Sequence, residues 1–142
     1  MLIDSNILLY AVDASSRFHD DAAEWLVAQM NGPRRVGFPW QSLGAFLRIS
    51  THPRASEHPL SPDEAWGHVE AWLAADPAWI PRPTERHAEV LGSLIRSYQL
   101  RANLISDAHL AALAIEHGLT VWSADTDFAR FREIRWQNPL EN

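Results

Sequence analysis

The chain has 142 residues, the length of one ordinary domain, enough to withdraw roughly 68% of its unfolded surface into a single core. Hydrophobic residues make up 46% and charged residues 21%, with twelve basic against eighteen acidic side chains for a net −6, so the chain reads as globular and not as a bulk-charge coat for nucleic acid. Cysteine and lysine are both absent, which excludes disulfides, thiolate nucleophiles, Cys-based metal sites, the Walker A phosphate loop and Schiff-base chemistry.

Residues 1–3 form a short apolar stretch closed by Asp4, and the run ILLYAV over 7–12 contains no turn residue, so a buried strand feeding a helix is expected. Ala22, Ala23, Leu26, Val27 and Met30 recur at helical spacing and predict a helix over 19–30, stopped by Asn31-Gly32-Pro33. A strand is expected over 36–38, then a helix over 40–50 with Leu43, Phe46, Leu47 and Ile49 on one face. Residues 51–60 carry two prolines and read as a loop. Ser61-Pro62-Asp63-Glu64 has a cap, a first-turn proline and a capping-box glutamate, predicting a helix to about Ala74. Trp79-Ile80 is a short strand candidate, Thr84 a cap for the next helix, and Ser106 a cap for a helix ending at His117 before Gly118. TVWS over 120–123 and residues 134–136 complete the strands. Strands alternating with helices predict one α/β domain over 1–142, a central parallel sheet of four to five short strands sandwiched between α-helices.

Ligands gather beyond the carboxyl ends of parallel strands, and three acids fall there. Asp4 ends the first strand, Asp125 follows TVWS, and Asp107 lies in the first turn of its helix. Singly, Asp107 could complement the helix dipole and Asp125 with Asp127 could be turn residues. Asp4 is harder to explain away, because a carboxylate next to a buried strand is costly without a counter-ion and no lysine exists to supply one. If the three converge, a hard divalent cation held by oxygen, Mg²⁺ with Mn²⁺ as substitute, relieves their repulsion and suits phosphodiester hydrolysis.

The segments LIDSNILLYAVDASSRFHDDAAEWL, PWQSLGAFLRISTHP, NLISDAHLAALAIEHG and VWSADTDFARF together resemble a PIN-domain ribonuclease, of the VapC toxin type from type II toxin–antitoxin pairs. The resemblance covers nearly the whole chain. It implies a PIN-like fold, a Mg²⁺-dependent endoribonuclease, an RNA substrate, a homodimer and neutralisation by a cognate antitoxin. Residue by residue, Asp4, Asp107 and Asp125 match the family's metal-binding and catalytic acids, with Asn6, Ser123 and Asp127 in support. The chain departs from the pattern at Ala45, where many relatives carry a glutamate, which weakens the case for a second metal ion.

Arg48, Arg130 and Arg132, with Arg54 and Arg135, are candidate contacts for RNA phosphates or else a solvated face. His109 lies two residues beyond Asp107, which on a helix turns it away from that acid, and His117 suits the last turn of its helix. Trp25, Trp66 and Trp72 fall on apolar helix faces and suit the core or a groove for an antitoxin helix. Two rival functions are a catalytically impaired module that binds RNA or protein, favoured by Ala45, and a phosphatase with Asp4 as nucleophile, disfavoured by Asn6 and the missing lysine. No apolar run approaches the roughly 18 residues of a membrane span, and the start MLIDSN lacks a secretory pattern, so no membrane association and a cytoplasmic location are expected.

Overall fold

The computed structural model describes residues 1–140. In chain order the elements are β1 (Leu2–Ile3), α1 (Ser5–Val12), α2 (His19–Met30), β2 (Val36–Gly37), α3 (Trp40–Ser50), α4 (Pro62–Ala74), β3 (Ala78–Trp79), α5 (His87–Tyr98), α6 (Leu104–His117), β4 (Thr120–Trp122), a 3-10 turn (Thr126–Arg130) and β5 (Arg135–Gln137). The five strands form one sheet in the order β3-β2-β1-β4-β5, every pair parallel. The expected α/β architecture with a parallel sheet is the one observed.

Alternation along β1 sets the layers. Ile3 packs with Ile7, Leu26, Leu43, Phe46, Val69 and Trp72, the apolar faces of α1 to α4, while Leu2 packs with Leu94, Leu110, Leu113 and Val121 under α5 and α6. Because successive strand side chains point to opposite faces, one two-residue strand nails both helical layers to the sheet. From β1 the chain builds β2 and β3 to one side and β4 and β5 to the other, so the strand order reverses between β1 and β4. That reversal leaves a crevice at the carboxyl ends of these two strands.

The helix bounds expected for α2, α3 and α4 agree with the structure, and Ser61 and Glu64 make both bonds of the capping box. Two caps differ from expectation. Helix α6 starts at Leu104, not after Ser106, and its first turn has no side-chain cap. Ala102 takes a left-handed φ of 52°, and Leu104, Ile105 and Ser106 donate their N–H groups three residues back to Arg101, Ala102 and Asn103, which satisfies the turn without a hydroxyl. Helix α5 starts at His87, and Thr84 instead accepts the Arg86 N–H and gives its own hydroxyl to Glu116. Helix α1 begins two residues earlier than the apolar run suggested, since Asp4 caps it.

Candidate active site

Asp4 and Ser123 directly follow the paired strands β1 and β4, and the sheet brings them side by side across 119 positions of sequence. Asp4 Oδ1 accepts the Ser5 N–H at 2.8 Å, and Oδ2 accepts the Ser123 hydroxyl at 2.6 Å. Ser123, with no exposed surface, also accepts from Asn6 Nδ2 at 3.1 Å and from the Asp125 N–H at 3.0 Å. Asn6 Oδ1 closes the ring by accepting the Ala124 N–H at 3.3 Å. Burial pushes the Asp4 carboxyl up, the Ser123 and Ser5 hydrogen bonds pull against it, and the Asp125 charge adds to the rise.

Asp107 approaches from the first turn of α6, and Asp125 caps the 3-10 turn, its Oδ1 accepting the Asp127 N–H at 2.8 Å. One carboxylate oxygen from each of Asp107, Asp125 and Asp127 lies within 4.8 Å of the others. Burial first, then the charges of Asp125, Asp4 and Asp127, push the Asp107 carboxyl up to about 7, with Arg130 opposing weakly. Arg130 reaches only Asp127, at 3.4 Å from Oδ1. Asp4 is outside the tightest group of three but lines the same cavity of about 670 Å³ as Asp107 and Asp125.

Helix α3 forms the opposite wall of that cavity with Gln41, Ala45 and Arg48, at the four- and three-residue spacing of one helical face. Ala45 thus faces the aspartates, and no fourth acid comes from α3. Of the three arginines singled out, Arg48 lines the cavity, Arg130 stands at its rim on Asp127, and Arg132 is exposed with its N–H on the Tyr98 hydroxyl. Arg135 belongs elsewhere, since its guanidinium donates to the Gly118 carbonyl before β4, at the opposite end of the strands.

Helical spacing turned His109 away from Asp107, yet His109 lines the same cavity. Residues two apart lie about 200° round a helix, so the pair marks the two flanks of one broad α6 face. His87 and Glu116, behind His109, have no signal in the sequence because the bonds of His87 to Glu116 and to His109 join α5 to α6 across distant positions. Burial, then the neighbouring His87 charge, lowers the His109 imidazole below its usual value.

The donor set suits a hard divalent cation. Asp107, Asp125 and Asp127 offer carboxylate oxygens, no thiolate exists in the chain, and the acids whose charges add to burial in lifting Asp107 to about 7 present the charge excess such an ion neutralises. No helix among the described residues is long and apolar enough to cross a membrane.

The PIN domain profile matches residues 1–134. Ribonuclease VapC37 of Mycobacterium tuberculosis is 43% identical over 138 residues, covering 97% of this chain and 96% of that protein. VapC ribonuclease Mb2897 of Mycobacterium bovis is 41% identical over 141 residues, covering 99% and 96%. Among solved structures, VapBC-1 from nontypeable Haemophilus influenzae superposes with a TM-score of 0.71 at 14% identity, covering 99% of this chain and 98% of that one. Mycobacterium tuberculosis VapC20, described as a Sarcin-Ricin loop cleaving toxin, gives 0.68 at 18% identity, covering 94% and 98%. With a profile match over most of its length and relatives above 40% identity end to end, the chain belongs to the PIN-domain family, among the VapC-type ribonucleases.

Proposed function

We propose that this chain is the toxin of a type II toxin–antitoxin pair, an endoribonuclease that hydrolyses RNA phosphodiesters in the cytoplasm with Mg²⁺, or Mn²⁺ in its place. The observation that carries the reading is the convergence of Asp4, Asp107 and Asp125 on one cavity, with Asp127 beside Asp107 and Asp125 and the Asp107 carboxyl lifted to about 7 by burial and then by the neighbouring acids. Asp4, Asp107 and Asp125 would hold the ion, and Asp127, whose carboxylate lies beside those of Asp107 and Asp125, would supply a fourth acid in place of the one missing at Ala45. When bound, the ion supplies charge stabilisation to the phosphate and lowers the pKa of water toward neutrality.

The chain's own groups do the rest. Ser123 and Ser5 fix both oxygens of Asp4 in one orientation, and Asn6 acts through Ser123. Arg48, on the far wall, is placed to take a phosphate oxygen, with Arg130 at the rim and Arg132 beyond it. The partner class is a cognate antitoxin, supported by relatives named as VapC ribonucleases and by similarity to toxin–antitoxin complexes. An apolar groove of about 420 Å³ with Leu9, Val12, Phe46 and Ile49 in its wall suits its helix, and exposed Val27, Trp40 and Trp66 suit a homodimer contact.

The test is cleavage of a 5′-labelled single-stranded RNA with and without Mg²⁺. Asp4→Asn and Asp107→Asn are each expected to lower the rate by about 10²–10³-fold while leaving the circular dichroism spectrum unchanged. Wild-type rates in either variant would overturn the assignment. A protein that binds RNA but never cuts it, in either metal, would favour the impaired module that Ala45 suggests.

A further inference from the structure

We propose that Glu116 and His87 position His109 as a substrate-contacting residue on the flank of the cavity away from the aspartates. The proposal rests on the ribonuclease reading above and adds to it a contact for the sugar-phosphate backbone of the nucleotide next to the scissile bond.

The network begins at Glu116, in the last turn of α6, whose side chain has no exposed surface. Its Oε1 accepts the Thr84 N–H at 2.8 Å and the Thr84 hydroxyl at 2.6 Å, and Oε2 accepts from His87 Nδ1 at 2.6 Å. His87, the first residue of α5, shares a hydrogen bond of 3.3 Å between its Nε2 and His109 Nδ1, and the two rings stack at 5.5 Å and 23°. A cross-link between α5 and α6 is already complete at Thr84, His87 and Glu116. The further bond to His109 adds no tie between new elements, but it fixes the orientation of an imidazole in the cavity wall and leaves only Nε2 free.

Asn103 and Arg48 line the same cavity, so its surface away from the aspartates is neutral to basic. Because Asp107 and His109 line one cavity from the same helix, a single strand with its scissile phosphate at Asp107 and its adjoining nucleotide laid across α6 would bring that ribose and phosphate over His109. A half-buried ring held at Nδ1 costs little further entropy to engage, which is the advantage of fixing it in advance.

The experiment measures kcat and KM for Mg²⁺-dependent cleavage of a 5′-labelled, mixed-sequence single-stranded RNA, and Kd for the same RNA by fluorescence anisotropy in EDTA. His109→Ala is expected to raise KM and Kd about five- to tenfold with kcat changed by no more than about twofold. His87→Gln and Glu116→Gln should give smaller rises, and neither should raise KM further in the His109→Ala background. Unchanged KM and Kd in His109→Ala would overturn the proposal, as would equal effects of Glu116→Gln in both backgrounds, the mark of a purely structural link. His109→Ala removes a cavity-lining ring, so it decides the matter even if the Glu116 variant fails to fold. If the wild type binds RNA without cutting it, the nuclease reading falls and the Kd series still judges His109. If it neither binds nor cuts, both fall.

Discussion

Ser123 shows how a small buried hydroxyl can govern a charged site. It donates to Asp4 and accepts from Asn6 and Asp125, so its removal leaves a buried carboxylate oxygen and two donors without their partner. Ser123→Ala is therefore expected to cost about 1–3 kcal/mol in urea unfolding and to reduce RNA cleavage, whereas a purely catalytic residue would lose activity alone. The titration of Asp107 gives a second test at this scale. Its folded pKa of about 7 lies above the ordinary 3.8, so the metal-free fold favours the protonated form. Stability is fully present below the unfolded value and falls as pH rises through about 7. Discounted for the solvent that reaches this half-buried carboxyl, the loss is about 1–2 kcal/mol, or roughly 3–6 °C in Tm. Thermal melts in EDTA should show the decline between about pH 4 and 7 and a levelling above it, and Mg²⁺ should remove most of it. A flat profile would contradict the burial and crowding of Asp107. Glu116 behaves oppositely: burial raises its carboxyl, but the Thr84 and His87 hydrogen bonds outweigh that and hold it low, so its contribution is present above the ordinary glutamate pKa and lost only in stronger acid.

Among the elements, the strands are short and depend on one another. Gly37 in β2 donates its N–H to the Met1 carbonyl at 2.7 Å, and a Cβ there would stand 2.7 Å from Pro81 Cγ and 2.8 Å from the Met1 oxygen. The backbone oxygen cannot move without breaking the ladder, so Gly37→Ala should destabilise by about 1–3 kcal/mol, measured as a lower urea midpoint with an unchanged slope. Helices were far more legible in the sequence than strands. The 3.6-residue recurrence in α2 and α3 and the capping box of α4 are local signals, readable in a window of a dozen residues. A two-residue strand has no period to read, and Ala78 rather than Ile80 joins β3 because Val36 and Gly37 fix the register from outside. The aspartates were legible because each follows a recognisable strand or opens a helix. The relay behind His109 was not, since Glu116 to His87 spans 29 positions and His87 to His109 spans 22.

Over the whole molecule, the reversal of strand order at β1 and β4 explains why the cavity lies where it does. The two strands are neighbours in the sheet but open different halves of the winding, and the residues that follow them, Asp4 on one side and Ser123 with Asp125 on the other, are carried into the gap. Helices α3 and α6 wall the gap from the two layers, which gives it an acidic side and a neutral to basic one. The net charge of −6 is thus compatible with the proposed polyanionic substrate, because a cation held by the aspartates and the arginines at the cavity would act at short range where bulk charge is screened.

The pairing of β1 with β4 also bears on synthesis. During synthesis β1 cannot complete its ladder until positions 121 and 122 have followed it out, and Asp4 has no serine hydroxyl to lean on before then. Such distant partners make assembly late as well as slow. A polypeptide not yet extended past β4 has α1 to α5 in hand but lacks the serine that orients Asp4, so this group of side chains is among the last parts of the fold to take shape.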